Sequence, residues 1–172
     1  MDVIVKTTFL ISVTLAGLVA GLFFAYACSV NLGLARLADV EYLKAMQAIN
    51  RAILNPWFFT AFLGALILLP LATGLVYKHE GATLVFYYLL AAALVYILAV
   101  FGITIFGNVP LNEALDKFDI ASAAVEELKR RREIFETPWN RLNLIRTLAS
   151  VISFVLVALG LIASWVERGP GH

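Results

Sequence analysis

Residues 83–106 read TLVFYYLLAAALVYILAVFGITIF, a run without one charged side chain. At about 1.5 Å of rise per residue, a helix of this length crosses the roughly 30 Å hydrocarbon core of a bilayer. Polar and apolar residues do not alternate in it, so it reads as a helix and not as a barrel strand. Three similar runs lie at 7–28, 57–77 and 148–165. The 172-residue chain is 62% apolar and 15% charged, with a mean hydropathy of +0.89. Soluble domains are about half apolar, so the solvent for much of this surface must be lipid. The expected fold is all-α: an integral membrane four-helix bundle in one domain, 1–172.

The segments between the runs look doubled. Asn31-Leu32-Gly33-Leu34 leaves the first run and Asn55-Pro56-Trp57 opens the second. Asn108-Val109-Pro110-Leu111-Asn112 leaves the third, and Thr137-Pro138-Trp139-Asn140 opens the fourth. Asn or Thr caps a helix, and Pro fits the first turn because its missing N–H has no partner there anyway. This predicts two helix–loop–helix repeats, 1–79 and 80–172, running in the same direction. Each long loop is expected to hold an amphipathic helical segment. In loop 1, Leu43, Met46, Ile49 and Ile53 share a face while Lys44, Gln47 and Arg51 point elsewhere, with Asp39 as N-cap. In loop 3 the stripe is Phe118, Ala121, Val125 and Leu128, followed by a charged stretch, 126–133. Pro70 is expected to kink the second run, and Lys78-His79-Glu80-Gly81 is a short turn between antiparallel neighbours.

Net charge is +1, which gives no global attraction to nucleic acid. The basic residues are placed unevenly. Arg36, Lys44, Arg51, Lys117, Lys129, Arg130, Arg131, Arg132, Arg141 and Arg146 flank or occupy loops 1 and 3; Lys6, Lys78 and Arg168 lie on the other side. The positive-inside rule puts loops 1 and 3 in the cytoplasm and both termini outside, in a bacterial inner membrane. Ala25-Tyr26-Ala27 before Cys28 resembles a cleavage site, but the apolar run is too long for a signal peptide and reads as a retained helix. Cys28 is the single cysteine, which excludes a dithiol redox pair; it reads as a buried structural residue. Gly17, Gly21 and Ala25 form a small-residue stripe, suited to close packing inside the bundle or between two copies of the chain.

Polar residues near hydrocarbon are costly and tend to be paired or functional. They concentrate in the second repeat: Asn108, Asn112 and Glu113 after the third run, then Trp139, Asn140, Asn143 and Arg146 before the fourth. Trp139, Asn143 and Arg146 are spaced to share one helix face, which could meet Asn108 and Asn112. A buried guanidinium needs an acceptor, from Glu113, a carbonyl freed by Pro110, or a ligand. These seven residues are the candidate ligand site; the same residues also suit a structural polar knot. No cofactor is expected. No histidine falls inside a run to hold haem, no His or Cys spacing suits a metal, and no phosphate loop, serine elbow or nucleotide fingerprint occurs.

Asn108-Val109-Pro110-Leu111-Asn112 followed by 139–147, Trp-Asn-Arg-Leu-Asn-Leu-Ile-Arg-Thr, resembles the anthrone oxygenase-like membrane proteins, a family also classed as a domain of unknown function. The likeness extends to Phe23-Phe24-Ala25-Tyr26. It implies the four-helix fold and an activity: cofactor-independent oxidation of a flat aromatic or quinone-like substrate by O2. Asn108, Asn112, Asn140 and Arg146 would donate to a developing oxyanion, and Trp139 would stack on the substrate. An obvious base is missing, since Glu113 and Asp116 are the nearest carboxylates and His79 and His172 fall on the far side. The alternative is a non-catalytic accessory subunit or structural bundle of a larger membrane complex. The partners expected are membrane lipid, a small hydrophobic aromatic molecule, and a second copy or a larger complex.

Overall fold

The computed structural model describes residues 3–166. The expectations for Arg168 and His172 lie outside that range. Five helices follow one another: α1 Val3–Leu34, α2 Asp39–Ala52, α3 Pro56–Glu80, α4 Leu84–Asp116 and α5 Val125–Val166. Four of them, α1, α3, α4 and α5, are long and apolar enough to cross a membrane, giving the expected four-helix membrane bundle. α1 packs on α3 and α5, and α4 packs on the same two. Consecutive spans run antiparallel and the last closes on the first, an up-down bundle topology.

The caps explain two of the starts. Asn55 Oδ1 accepts from Phe58 N at 3.1 Å, with Pro56 in the first turn of α3. Thr83 Oγ1 accepts from Phe86 N at 3.3 Å at the start of α4. Gly81, at φ +75°, makes the turn between α3 and α4 that a side chain would strain. Pro70 lies inside an unbroken α3.

Five local expectations change. Pro138 does not restart a helix: α5 runs through it from Val125, about 63 Å in all, twice a bilayer core. The stripe of loop 3 divides accordingly, Leu128 being buried at the start of α5 and Val125 exposed. Asp39 is the first helical residue of α2 and not its cap; Ala38 holds the N-cap position, and its N–H donates to Glu41 Oε2 at 3.3 Å. Cys28 is exposed. The small-residue stripe splits, because Gly17 packs against Phe154 while Gly21 and Ala25 face outward.

Two apolar cores result. The larger fills the bundle between the four spans, with Phe9, Phe62, Leu69, Leu89, Tyr96 and Val157 among its buried residues. The smaller lies under the loops, where α2 lays Tyr42, Leu43 and Met46 against Leu115, Leu128, Phe135 and Trp139. Gln47, outside the apolar stripe of α2, is half-buried, and its amide donates to Leu115 O at 2.8 Å and Phe118 O at 3.0 Å. Inside the bundle, Tyr96 Oη donates to Phe62 O at 2.9 Å and Ser153 Oγ to Ala92 O at 3.0 Å. Such cross-helix bonds contribute about 0.5–2 kcal/mol each in lipid. Tyr96→Phe is therefore expected to lower the melting temperature in detergent by about 2–6 °C, with the helical content by circular dichroism unchanged.

α1 and α4 each widen into i→i+5 turns where they approach the loops. Asn31 N donates to Tyr26 O, and Val109 N to Thr104 O. In α4 this widening precedes Pro110, whose ring would crowd the carbonyl four residues back and whose N–H is missing. Such turns often mark functional positions in helices. Here they flank the seam between the two cores.

Candidate functional site

At that seam lies a cavity of about 70 Å³. Leu22, Phe23 and Tyr26 line it from α1; Ile49, Asn50, Ile53 and Leu54 from α2 and the residues after it; and Phe58 from α3. α4 contributes Thr104, Val109 and Asn112, and α5 contributes Trp139 and Arg146. About two waters fit such a volume, whereas pockets for drug-sized molecules run from about 300 Å³ upward. Arg146 stands 19 residues before Trp165 on α5, about 28 Å along the helix axis. With Trp165 at one interface, the cavity sits near the opposite edge of the hydrocarbon.

Arg146 is the centre of the site. It is 7% exposed, and among the described residues no carboxylate pairs with its guanidinium. Nε and one terminal nitrogen donate to Asn143 Oδ1 at 3.2 and 3.0 Å, and the other terminal nitrogen donates to Thr104 Oγ1 at 3.4 Å. The expected acceptor Glu113 is exposed instead. The cation also lies 4.1 Å from the ring centre of Phe23 and 5.3 Å from that of Trp139. Cation–π attraction reaches about 2 kcal/mol when desolvated, which offsets part of a burial cost of several kcal/mol. The guanidinium carries five N–H groups, and three protein hydrogen bonds leave two of them. The result is a cavity wall of uncompensated positive charge.

Around it the α5 face predicted from spacing is assembled. Trp139, Asn143 and Arg146 are all buried. Trp139 Nε1 donates to Asn112 Oδ1 at 2.7 Å, and Asn108 Nδ2 to Trp139 O at 3.4 Å. Thr147 Oγ1 ties α5 to α1 by donating within reach of Phe23 O, 3.1 Å away, and Asn143 O, 2.7 Å away. Trp139 contacts Tyr26 and Phe135, with ring centres 6.0 and 6.2 Å away.

Of the seven predicted residues, Asn112, Trp139 and Arg146 line the cavity. Asn108 and Asn143 are fully buried behind it as supports. Asn140 and Glu113 do not line it. Trp57 and Trp139, which look equivalent in sequence, differ completely: Trp57 is 86% exposed and Trp139 is 2% exposed. The reading of residues did not single out Asn50, Thr104 or Phe58. Asn50 had a signal, because it falls on the apolar face of α2 seven residues after Leu43. Thr104 had one too, one turn before Asn108 inside an apolar run.

Among the described residues, no Asp, Glu or His lines the cavity. Among the described residues, no three His, Cys, Asp or Glu side chains come together to hold a metal ion. His79 lies in the last turn of α3, 21 residues from Phe58 and so about 30 Å from the cavity. The arrangement can therefore bind and stabilise an anionic oxygen, but carries no evident side-chain base.

A family model described as anthrone oxygenase matches residues 54–156. That segment holds Thr104, Asn112, Trp139 and Arg146, whereas Phe23, Tyr26 and Asn50 precede it. No curated protein and no solved structure matches the chain.

Proposed function

The chain belongs to the anthrone oxygenase family, and on that premise we propose that it oxidises a flat aromatic of the anthrone class to a quinone with O2. Arg146 would hold the oxygen that becomes negative. The observation that carries this reading is a buried guanidinium on a cavity wall whose protein acceptors are all neutral.

The chemistry needs no resident cofactor, because the substrate supplies the electrons. A methylene carbon between two rings loses a proton to water, and the electron pair moves onto the ring carbonyl oxygen. The free N–H groups of Arg146 stabilise that oxyanion where it develops, as preorganised donors do. The carbon then bonds to O2, and the outer oxygen of the resulting peroxide takes a proton. Loss of the second C–H proton with cleavage of the O–O bond leaves a new C=O and releases water. One oxygen atom ends in the quinone and the other in water. Each pKa unit removed from the methylene corresponds to about 1.4 kcal/mol of oxyanion stabilisation, so a strong donor lowers the demand for a base.

The cavity accepts the oxygen-bearing edge of such a molecule and not three fused rings. Binding therefore displaces the rim, where α2 and Leu54 close the cavity. The basic loop end would face the cytoplasm of a bacterial inner membrane, with the substrate arriving from the lipid. In nanodiscs, purified protein is expected to consume O2 and form anthraquinone from anthrone in a one-to-one ratio, at least ~10-fold faster than protein-free discs. Equal rates would refute the proposal.

The small cavity and the absence of a lining base support a second reading, a non-catalytic bundle within a larger complex. Native mass spectrometry would then show a second protein chain bound to the protein extracted from its membrane, and no retained aromatic.

A further inference from the structure

We infer that Asn50 is a second polar contact for the ligand, and that the ligand carries a ring hydroxyl to meet it. This rests on the reading above that the cavity binds an aromatic with an acidic oxygen. Asn50 belongs to α2, outside the segment matched to the family, so its role does not follow from that membership.

Asn50 is 9% exposed and lines the cavity. Its amide nitrogen is buried and has no hydrogen-bond partner. A buried amide without a partner costs free energy that an apolar side chain of similar shape avoids. Its neighbours on the same face of α2, Leu43, Met46 and Ile53, are apolar, and leucine would continue their packing. A polar group kept at such a position, on the wall of a cavity that Arg146 also lines, marks a donor waiting for an acceptor. Asn108 Oδ1 and Asn143 Nδ2 are also unpaired, but neither residue lines the cavity. Of these three residues, Asn50 is therefore the one on the cavity wall.

The chemical consequence is selectivity. Arg146 takes the oxygen that gains charge. Asn50, which can donate and accept, suits a hydroxyl substituent on a ring of the same molecule. A site built around a polar contact rejects an analogue that lacks it more strongly than an apolar wall does. Lid helix α2 would then do more than exclude water; it would read the substituent.

The test compares wild type with Asn50→Leu in nanodiscs, using anthraquinone and 1-hydroxyanthraquinone as stable probes of binding. Wild type is expected to bind the hydroxylated probe about 10-fold more tightly, and Asn50→Leu to abolish that preference. Ligand-free Asn50→Leu is expected to melt at the same temperature as wild type or a few degrees higher, because it removes an unpaired buried donor. Asn50→Gln, which keeps the amide, provides a second variant should leucine disturb α2, and is expected to retain part of the preference. An unchanged preference in Asn50→Leu, or no preference in wild type, would overturn the role of Asn50 while leaving the proposed oxidation standing. If wild type binds neither probe, the inference falls, and turnover of anthrone in the same discs reports separately whether the oxidation itself stands.

Discussion

Arg146→Met is expected to lower the rate of anthrone oxidation by about 10²–10³-fold, the usual loss when one preorganised oxyanion donor is removed. Methionine matters in the design of the test. Truncation to alanine would open a void beside Phe23 and Trp139, and a fall in rate would then mix chemistry with collapse. Methionine keeps most of the volume and deletes the charge. Replacing a buried ion by packed apolar atoms is often neutral or stabilising. Here the cation has no anionic partner to leave behind, since its bonds go to Asn143 and Thr104. Asn143 Oδ1 loses its donors, at a cost of about 1–3 kcal/mol, against which stands the relief of a buried ion; the expected result is thus a protein that melts within a few degrees of wild type and has lost its activity. Arg146→Lys should recover only part of the rate, because an ammonium keeps the charge but cannot present the planar fork of N–H groups. A rate for Arg146→Met within about threefold of wild type would remove Arg146 from the chemistry.

How much of the fold and the site is legible in the sequence follows from the range of each interaction. Hydrophobic run length is a local property, so the four spans and their all-helical class could be read directly. The pairing of Trp139, Asn143 and Arg146 on one face was also local, set by helical periodicity. What failed depended on contacts across the fold. Thr137-Pro138 has the composition of a helix start, yet Phe135 and Trp139 both bury against α2, and the helix before Pro138 is held in place by that packing. The two prolines therefore have different settings, and so do their tryptophans. Glu113 was a reasonable partner for Arg146 by proximity in sequence. Whether it could reach depended on the rotation of the end of α4, which the wide turn before Pro110 alters. The donors that α1 and α2 bring to the cavity, Tyr26 and Asn50, come from positions 120 and 96 residues away from Arg146; each could be noticed locally, but no pattern along the chain says that they meet Arg146.

Arg132→Ala is expected to release α2 from the rest of the protein while leaving the spans intact. Arg132 sits on the part of α5 that continues past the bilayer, and it closes three pieces of chain together. Its Nε donates to Glu136 Oε2 at 2.7 Å on its own helix. One terminal nitrogen donates to Leu37 O at 2.7 Å and Asp39 Oδ1 at 3.0 Å, and the other to Ala35 O at 3.0 Å. The guanidinium also lies 4.5 Å from the ring centre of Tyr42. Tyr42 stays a neutral phenol: burial pushes its pKa up, and Glu136 pushes the same way against Arg132. The side chain of Arg132 is only 14% exposed, so these pairs are less screened than surface ones. Breaking them strands the carboxylates of Asp39 and Glu136 and two backbone carbonyls. Hydrogen bonds to charged groups contribute about 1.5–3 kcal/mol each; some of the freed groups will find water, so a net loss of about 2–4 kcal/mol is expected. Since about 1.4 kcal/mol is tenfold in an equilibrium constant, the amides of α2 should exchange with deuterium about 30- to 1000-fold faster. Those in the middles of α3 and α4 should not change, because their core does not include Arg132. Arg132→Lys should give an intermediate effect, able to hold one carboxylate but not both carbonyls as well. Unchanged exchange in α2 would mean that Gln47 and the Arg51–Asp116 pair hold the helix without it. With α2 released, the cavity loses the wall formed by Ile49, Asn50 and Ile53. If the oxygen edge of a tricyclic must pass that wall, Arg132→Ala should also bind and release an anthraquinone probe faster than wild type.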